Sequence, residues 1–193
     1  MSVIQQQVIA NLVLDKLYPI CPYAIVAGGA PRDWYFGNEA KDIDVYFSTT
    51  ALTESMLMAQ LKAAFGNDME VKFSRRTDLH EDPIYKTLMG LIRIIELTIN
   101  NTKVQLIQMD RSERLFKVVD DFSVSICKIW YKRGTIFRTK DFKLTEKTKI
   151  MFLSLGYDWN DPHPAKMVSR FTDYKAGTRQ VAVAEMENVF LDD

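Results

Sequence analysis

The sequence has little of what usually announces a protein's chemistry. It contains two cysteines in 193 residues, Cys21 and Cys127, both in apolar stretches and without a C-x-x-C pair. A cysteine-based zinc site and a disulfide-stapled fold are therefore not expected, and two buried thiols in a reducing compartment are. No histidine stands where the sequence would let it activate Ser123 or Ser125, so neither serine reads as a nucleophile. His80 falls in a polar loop, and His163, between Pro162 and Pro164, reads as a turn residue. There is no excess of either charge, with 25 Lys and Arg against 25 Asp and Glu. A nucleic-acid partner would have to be gripped by a local patch. Long apolar runs are also missing: Leu88 to Ile99 is broken by Arg93 and Glu96, too short and too charged for a bilayer. No basic segment followed by an apolar core opens the chain. The expectation is a cytoplasmic protein without a membrane partner. Repeats, low-complexity tracts and long linkers are absent.

What is present is 47% apolar and 26% charged residues, enough to bury a core in one domain or a domain with a small appendage. Val3 to Leu17 carries Val3, Ile4, Val8, Leu12, Leu14 and Leu17 near helical spacing, ended by Pro19 and Pro22. Tyr23 to Ala27 reads as a buried strand stopping at Gly28-Gly29, and Pro31 opens a helix through Trp34 to Gly37 or Asn38. Asp42 to Phe47 reads as a strand. Thr53 caps a helix ending before Gly66. Met69 to Phe73 is a short strand, Arg75 to Pro83 a loop, and Ile92–Ile99, Asn100-Asn101, Val104–Met109 a hairpin. Phe122 to Tyr131 is a strand or a buried helix; periodicity does not decide. Lys143 to Leu155 and Ala165 to Tyr174 are expected to be helical.

The chemistry concentrates in Gly28-Gly29-Ala30-Pro31-Arg32-Asp33 and Lys41-Asp42-Ile43-Asp44-Val45. Residues i and i+2 of a strand share a face, so Asp42 and Asp44 point the same way. Two such carboxylates repel unless a cation lies between them, and hard oxygen ligands suit Mg²⁺ or Mn²⁺. The glycine turn opens a helix whose free N–H groups favour phosphate. Phosphate binding beside metal binding is the minimum for phosphoryl transfer.

Gly-Gly-x-x-Arg-Asp followed by Asp-x-Asp resembles the DNA polymerase β type nucleotidyltransferases, and within them the head of bacterial poly(A) polymerases and class II CCA-adding enzymes. Asp121-Phe122-Ser123-Val124-Ser125 is similar to that family's Arg-Arg-Asp-Phe-Thr-Ile-Asn segment, and Val168-Ser169-Arg170-Phe171 resembles the Arg-Phe helix after the head. The likeness runs over residues 20 to 175. Compact members with Val-Gln-Leu-Ile before the Asp-Phe-Ser segment resemble those encoded by bacteriophages, which would place the protein in the cytoplasm of a bacterial host. The resemblance implies an α/β fold: a small, twisted, mixed sheet flanked by helices, as a head domain over 1–140, with a short helical extension packed on it over 141–193. It implies transfer of a nucleoside monophosphate from an NTP to an RNA 3′ end, that of tRNA in particular. Asp42 and Asp44 would be catalytic metal ligands and Asp121 a third catalytic carboxylate. Gly28, Gly29, Arg32 and Lys41 would bind the nucleotide, supported by Asp33 and Gln105.

The departures are specific. Gln105 stands where the family has its third carboxylate, with Asp110 or Asp121 as substitutes. Val119 and Asp120 replace the paired arginines, and the family's base-reading motif and long helical body have no counterpart. Two other readings stay open: nucleotide transfer to a protein hydroxyl, and a catalytically silent binder of nucleotide or protein. Arg75, Arg76, Lys72 and Lys86 read as surface charge or a triphosphate grip. Trp130-Tyr131, Leu144, Ile150 and Met151 read as core rather than as base-stacking surfaces.

Overall fold

The computed structural model describes residues 1–49, 52–66, 69–74, 90–110 and 115–189. The charged positions Arg75, Arg76 and Lys86, with His80, lie outside them. The chain divides into two compact units, residues 1–118 with 130–137, and residues 119–129 with 138–193. The segment 119–129 thus groups with the C-terminal region, and 130–137 with the N-terminal one.

In the first unit, helix α1 (Val3–Leu17) opens on a capping box in which the Ser2 side chain accepts from the Gln5 amide and the Gln5 side chain accepts from the Ser2 amide. Its buried stripe is Gln6, Ile9, Ala10, Val13, Leu14 and Leu17. Ile4, Val8 and Leu12, apolar positions at helical spacing, are exposed; the polar Gln6 takes the inward place because it has backbone to bond. Strand β1 (Ile25–Ala27), helix α2 (Gly29–Tyr35) and strand β2 (Asp42–Ser48) follow, then helix α3 (Glu54–Phe65), capped by the Thr53 hydroxyl. Strand β3 (Glu70–Ser74) precedes the hairpin of β4 (Leu91–Ile99) and β5 (Thr102–Met109). Asn100 and Asn101 both take positive φ there, as a two-residue hairpin turn requires. Strands β6 (Ile129–Lys132) and β7 (Thr135–Arg138) complete a seven-stranded sheet in the order β3-β4-β5-β2-β1-β6-β7. The β2–β5 pair is parallel; β3–β4, β4–β5, β2–β1 and β1–β6 are antiparallel.

The sheet has a closed and an open face. Val26 lies opposite both Val45 and Tyr131, and all three are fully buried with Ile43, Val104 and Leu106. Alternation then puts Asp42, Asp44, Lys103, Gln105 and Trp130 on the other side, where each is only half-buried. Trp130 therefore departs from the core position expected for it, whereas its neighbour Tyr131 meets that expectation, edge-on to Trp34 with its hydroxyl donating to Asn11.

In the second unit, helix α4 (Lys140–Thr148) stops short of the expected Leu155. Lys149 takes the left-handed conformation, and β-branched Ile150 starts strand β8 (Ile150–Phe152), which pairs in parallel with β9 (Lys175–Gly177). Helix α5 (Pro162–Arg170) ends before Tyr174, and helix α6 (Arg179–Val189) packs Ala182 on Leu144, Ile150 and Phe152. The segment Phe122 to Tyr131 is neither one strand nor one helix. The 3-10 helix Leu115–Asp121 runs to its edge, a 3-10 turn covers Ser125–Cys127, and β6 begins only at Ile129. Ser125 explains the irregularity: its buried hydroxyl accepts from Thr145 and from the Phe152 amide, bonds a regular ladder would not supply. Among the described residues no helix is long and apolar enough to cross a membrane.

Candidate active site

Asp42 and Asp44 open β2 on the sheet's open face, while Ile43 and Val45 anchor the strand with no exposed area. On β5, Lys103 lies opposite Asp42 and Gln105 opposite Asp44; on β4, Glu96 lies opposite Gln105. Side chains opposite one another share a face, so Asp44, Gln105 and Glu96 form one row across three strands. The Gln105 amide donates to Glu96 at 3.4 Å, and the Lys103 ammonium lies 2.5 Å from the same carboxylate. That hydrogen bond from Lys103 holds the Glu96 carboxyl below its ordinary range, against the opposing effect of burial and with help from the Gln105 amide.

The turn after β1 closes the other side. Gly28 has φ 87° and ψ −129°, in a region closed to side chains without strain. A Cβ there would stand 3.5 Å from Asp44 Oδ2, an ordinary contact distance, so the turn lies beside the carboxylate and the need for glycine comes from its φ. Gly29 has ordinary φ, and a Cβ on it would meet only an Arg32 guanidinium nitrogen at 3.7 Å. The turn is held from below. Gln6 donates to the Ala40 carbonyl at 2.8 Å, and its oxygen accepts from the Ala40 amide at 2.9 Å and the Trp34 indole at 2.8 Å. This buried amide ties α1 to α2 and to the chain entering β2. Arg32 and Asp33 are both buried and joined as an ion pair, Nη2 and Nε each 2.9 Å from Asp33 Oδ1. Arg32 thus lies beneath the turn, and Asp33 fixes its orientation.

The electrostatics single out Asp44. Burial first, and then the neighbouring Asp42 charge, push its pKa up to about 7, with Lys103 pulling the other way. Part of the side chain reaches solvent, yet Oδ1 is covered and has no hydrogen-bond partner among the described residues. A covered, partnerless carboxylate oxygen beside a second carboxylate is costly as it stands. It fits a hard divalent cation, which takes one or two carboxylates and completes its shell with water and phosphate oxygens.

The other expected residues are placed as follows. Lys41 is exposed and immediately precedes Asp42. Asp121 ends its 3-10 helix in the second unit, half-buried, with its carbonyl accepting from the Tyr157 hydroxyl at 3.4 Å. Asp110 is exposed at the end of β5, its amide bonded to the Gly90 carbonyl. Among the described residues no group of three or more His, Cys, Asp or Glu converges as a metal cage. Glu96 and Lys103 were missed by sequence reasoning, although a two-residue Asn100-Asn101 turn fixes their register: pairing Ile99 with Thr102 carries Thr98 to Lys103 and Glu96 to Gln105. A further departure lies in the second unit, where His163 Nδ1 comes within 2.8 Å of the Ser123 hydroxyl. Ser123 is only 7% exposed, so the pair tethers the start of α5 rather than presenting a nucleophile.

No family model and no curated protein matches the sequence. Solved structures do resemble the fold. A tRNA-processing enzyme in an apo form superposes with TM-score 0.59 at 18% identity, over 96% of this chain and 47% of its own. A CCA-adding enzyme in complex with CTP gives 0.55 at 14%, over 94% and 43%. The Thermotoga maritima CCA-adding enzyme in complex with tRNA gives 0.57 at 14%, over 100% and 47%. The chain thus shares the fold of these tRNA-processing and CCA-adding enzymes, and spans less than half the length of each of these structures.

Proposed function

We propose that the protein transfers a nucleoside monophosphate from an NTP to an acceptor hydroxyl at an RNA 3′ end, with tRNA the foremost candidate. The observation that carries this is the Asp42–Asp44 pair, with its covered, partnerless Oδ1, set against the Gly28 turn in a fold shared with CCA-adding enzymes. One similar structure was solved with CTP and another with tRNA.

In the reaction, the acceptor hydroxyl releases its proton to solvent as its oxygen bonds to the α-phosphorus, the bridge to the β-phosphate breaks, and pyrophosphate leaves. Asp42 and Asp44 would hold Mg²⁺ or Mn²⁺, which when bound supplies a lowered hydroxyl pKa and charge compensation at the triphosphate. Asp44 must give up its proton to serve, since at its resting pKa of about 7 it is half protonated near neutrality. Gly28 and Gly29 let phosphate oxygens approach backbone N–H groups; α2, seven residues long, adds only a weak dipole. Arg32 orients the turn from beneath, and Lys41 supplies a mobile cation beside the carboxylates.

The test is to incubate the protein with each α-labelled NTP, Mg²⁺ and total RNA. Label on RNA is expected. Label on protein instead would establish the protein-hydroxyl reaction. Intact NTP binding with no transfer would establish the silent relative, the reading that Gln105 favours by standing, bonded to Glu96, where an acid is needed.

A further inference from the structure

The open face carries more charge than Asp42 and Asp44, and the rest of it is already matched. Across the row from Asp44, Glu96 accepts from the Lys103 ammonium and from the Gln105 amide. One strand further, Glu70 lies opposite Glu96 and pairs with Lys72 at 2.6 Å. Each lysine matches one glutamate, and Gln105 brings no charge. Exposed Lys41, beside Asp42, only adds positive charge. What stays uncompensated is the Asp42–Asp44 pair, whose two negative charges call for one divalent cation.

The available ligands agree with the charge. Two divalent ions about 4 Å apart, one at the attacking oxygen and one at the leaving oxygen, need protein ligands on both sides. Gln105 turns its amide to Glu96, and among the described residues no group of three His, Cys, Asp or Glu converges. An ion that shares the oxygens of a triphosphate needs only one or two carboxylates from the protein, and Asp42 and Asp44 supply them. A second ion would have to share those same two oxygen donors with Lys103 repelling it. Lys103 lies opposite Asp42 on the neighbouring strand, its side chain 41% exposed. Its charge acts on Asp44, and Glu96 fixes its ammonium at 2.5 Å. A fixed ammonium beside a reacting phosphate stabilises the same developing charge that a metal ion would.

We infer that the site works with a single divalent cation, held by Asp42 and Asp44, and that Lys103 takes the place of a second one, its ammonium meeting the charge that builds on the reacting phosphate. This rests on the proposed nucleotide transfer and specifies how its charge is balanced. Neutral Gln105 and cationic Lys103 then belong together: the first denies a second ion its ligand, and the second supplies the charge. Glu96 is the positioning residue for both.

The test uses the whole chain, Mn²⁺, and the α,β-methylene analogues of ATP and CTP, which bind without reacting. After equilibrium dialysis at saturation, the protein should hold one Mn²⁺ for each bound nucleotide. Two would overturn the inference, and label transferred to RNA by the same protein would show the transferase reading intact. Without nucleotide, K103M should bind Mn²⁺ about fivefold more tightly, the order expected for removing one repelling charge in a well-hydrated setting. K103R, which keeps the charge, should stay within about twofold of wild type. A lysine that only braces the strand pair would leave Mn²⁺ affinity unmoved in both. At saturating Mn²⁺ and NTP, K103M should lower kcat at least about a hundredfold, the scale of losing one preorganised donor, and K103R should recover most of it. Wild-type kcat in K103M would overturn the role given to Lys103. If the wild type labels no RNA, the transferase reading fails, and the Mn²⁺ count still decides between one ion and two.

Discussion

Two carboxylates, one in each unit, are treated in opposite ways. Asp141 at the start of α4 is opposed by burial, yet hydrogen bonds and charge from Lys128 at 3.0 Å and Arg179 at 3.2 Å prevail and hold its pKa below the ordinary value. Asp44 is opposed by burial and then by Asp42, only Lys103 counters, and its pKa rises to about 7. A fold left to itself resolves a buried charge as Asp141 is resolved. Asp44 keeps a covered oxygen without a partner among the described residues, and beside a second carboxylate this is what the proposed metal site would use. The contrast separates a strut from a site, and it can be broken experimentally from either end.

The largest effect should come from the site. Asp42→Asn and Asp44→Asn should each reduce transfer by at least about a thousandfold, the scale expected when a group acting as a unit with others is removed. The melting temperature of metal-free Asp44→Asn should not fall, because the amide removes a buried like-charge repulsion. Transfer within tenfold of wild type in either variant would remove that residue from the reaction.

The legibility of the two regions follows the same division. The site's first strand and turn could be read directly, because Gly-Gly, Asp-x-Asp and the hairpin asparagines act through local backbone rules that a sequence states openly. The second unit resisted because its elements are made by distant partners. Strand β8, three residues long, has no period to detect and exists by pairing with β9. The Ser125 turn exists because Thr145 and the Phe152 amide reach its hydroxyl. Within the first unit, α1 was placed correctly from end to end, yet its buried face was not, since Gln6 earns its interior position from Ala40 and Trp34, far along the chain.

Next in size is the turn. Gly28→Ala should weaken NTP binding at least tenfold, about 1.4 kcal/mol, because a side chain at φ 87° is strained. Gly29→Ala, with ordinary φ and room against Arg32, should cost less than threefold on the same scale. Calorimetry on the two variants checks the order; equal losses would mean that backbone access, not conformation, sets the need for glycine.

The pH responses should then run in opposite directions from their origins. Asp44 is protonated below about 7, so apparent Mn²⁺ affinity should fall up to about tenfold per pH unit below that value and level off above it. In the metal-free protein the raised pKa means the folded state holds the proton more tightly than the unfolded state. Its contribution to stability is therefore fullest at low pH and is lost as pH rises towards 7. Asp141 has a depressed pKa, so its contribution is present above the ordinary carboxylate range and is lost only as pH falls below about 4. Asp141→Asn should therefore lower stability at pH 7 by about 1–3 kcal/mol, since it leaves the buried Lys128 without its counter-charge, and should cost less at pH 3, as the wild-type carboxylate takes up its proton. A denaturant titration at both pH values tests the difference.

The smallest effect is expected at Gln105, and it probes the boundary between strut and site. Gln105 lies between Asp44 and Glu96, tied by its amide to a carboxylate that Lys103 already satisfies. Gln105→Glu would add the acid that the row lacks and, by itself, should strengthen metal binding. The same charge would stand one strand spacing from Asp44 and from Glu96, at a cost of about 1 kcal/mol for each neighbour in a well-hydrated setting, and would push the Asp44 pKa higher still. Gain and loss should nearly cancel at pH 8, leaving Mn²⁺ affinity within about fivefold of wild type, less than 1.4 kcal/mol. At pH 6.5, where Asp44 holds its proton more firmly in the variant, affinity should fall below wild type. Manganese titrations followed by electron paramagnetic resonance at the two pH values would resolve this. A tenfold gain at both would show instead that the position opposite Asp44 faces the metal directly, and that the native glutamine keeps the site weaker than its two aspartates could make it.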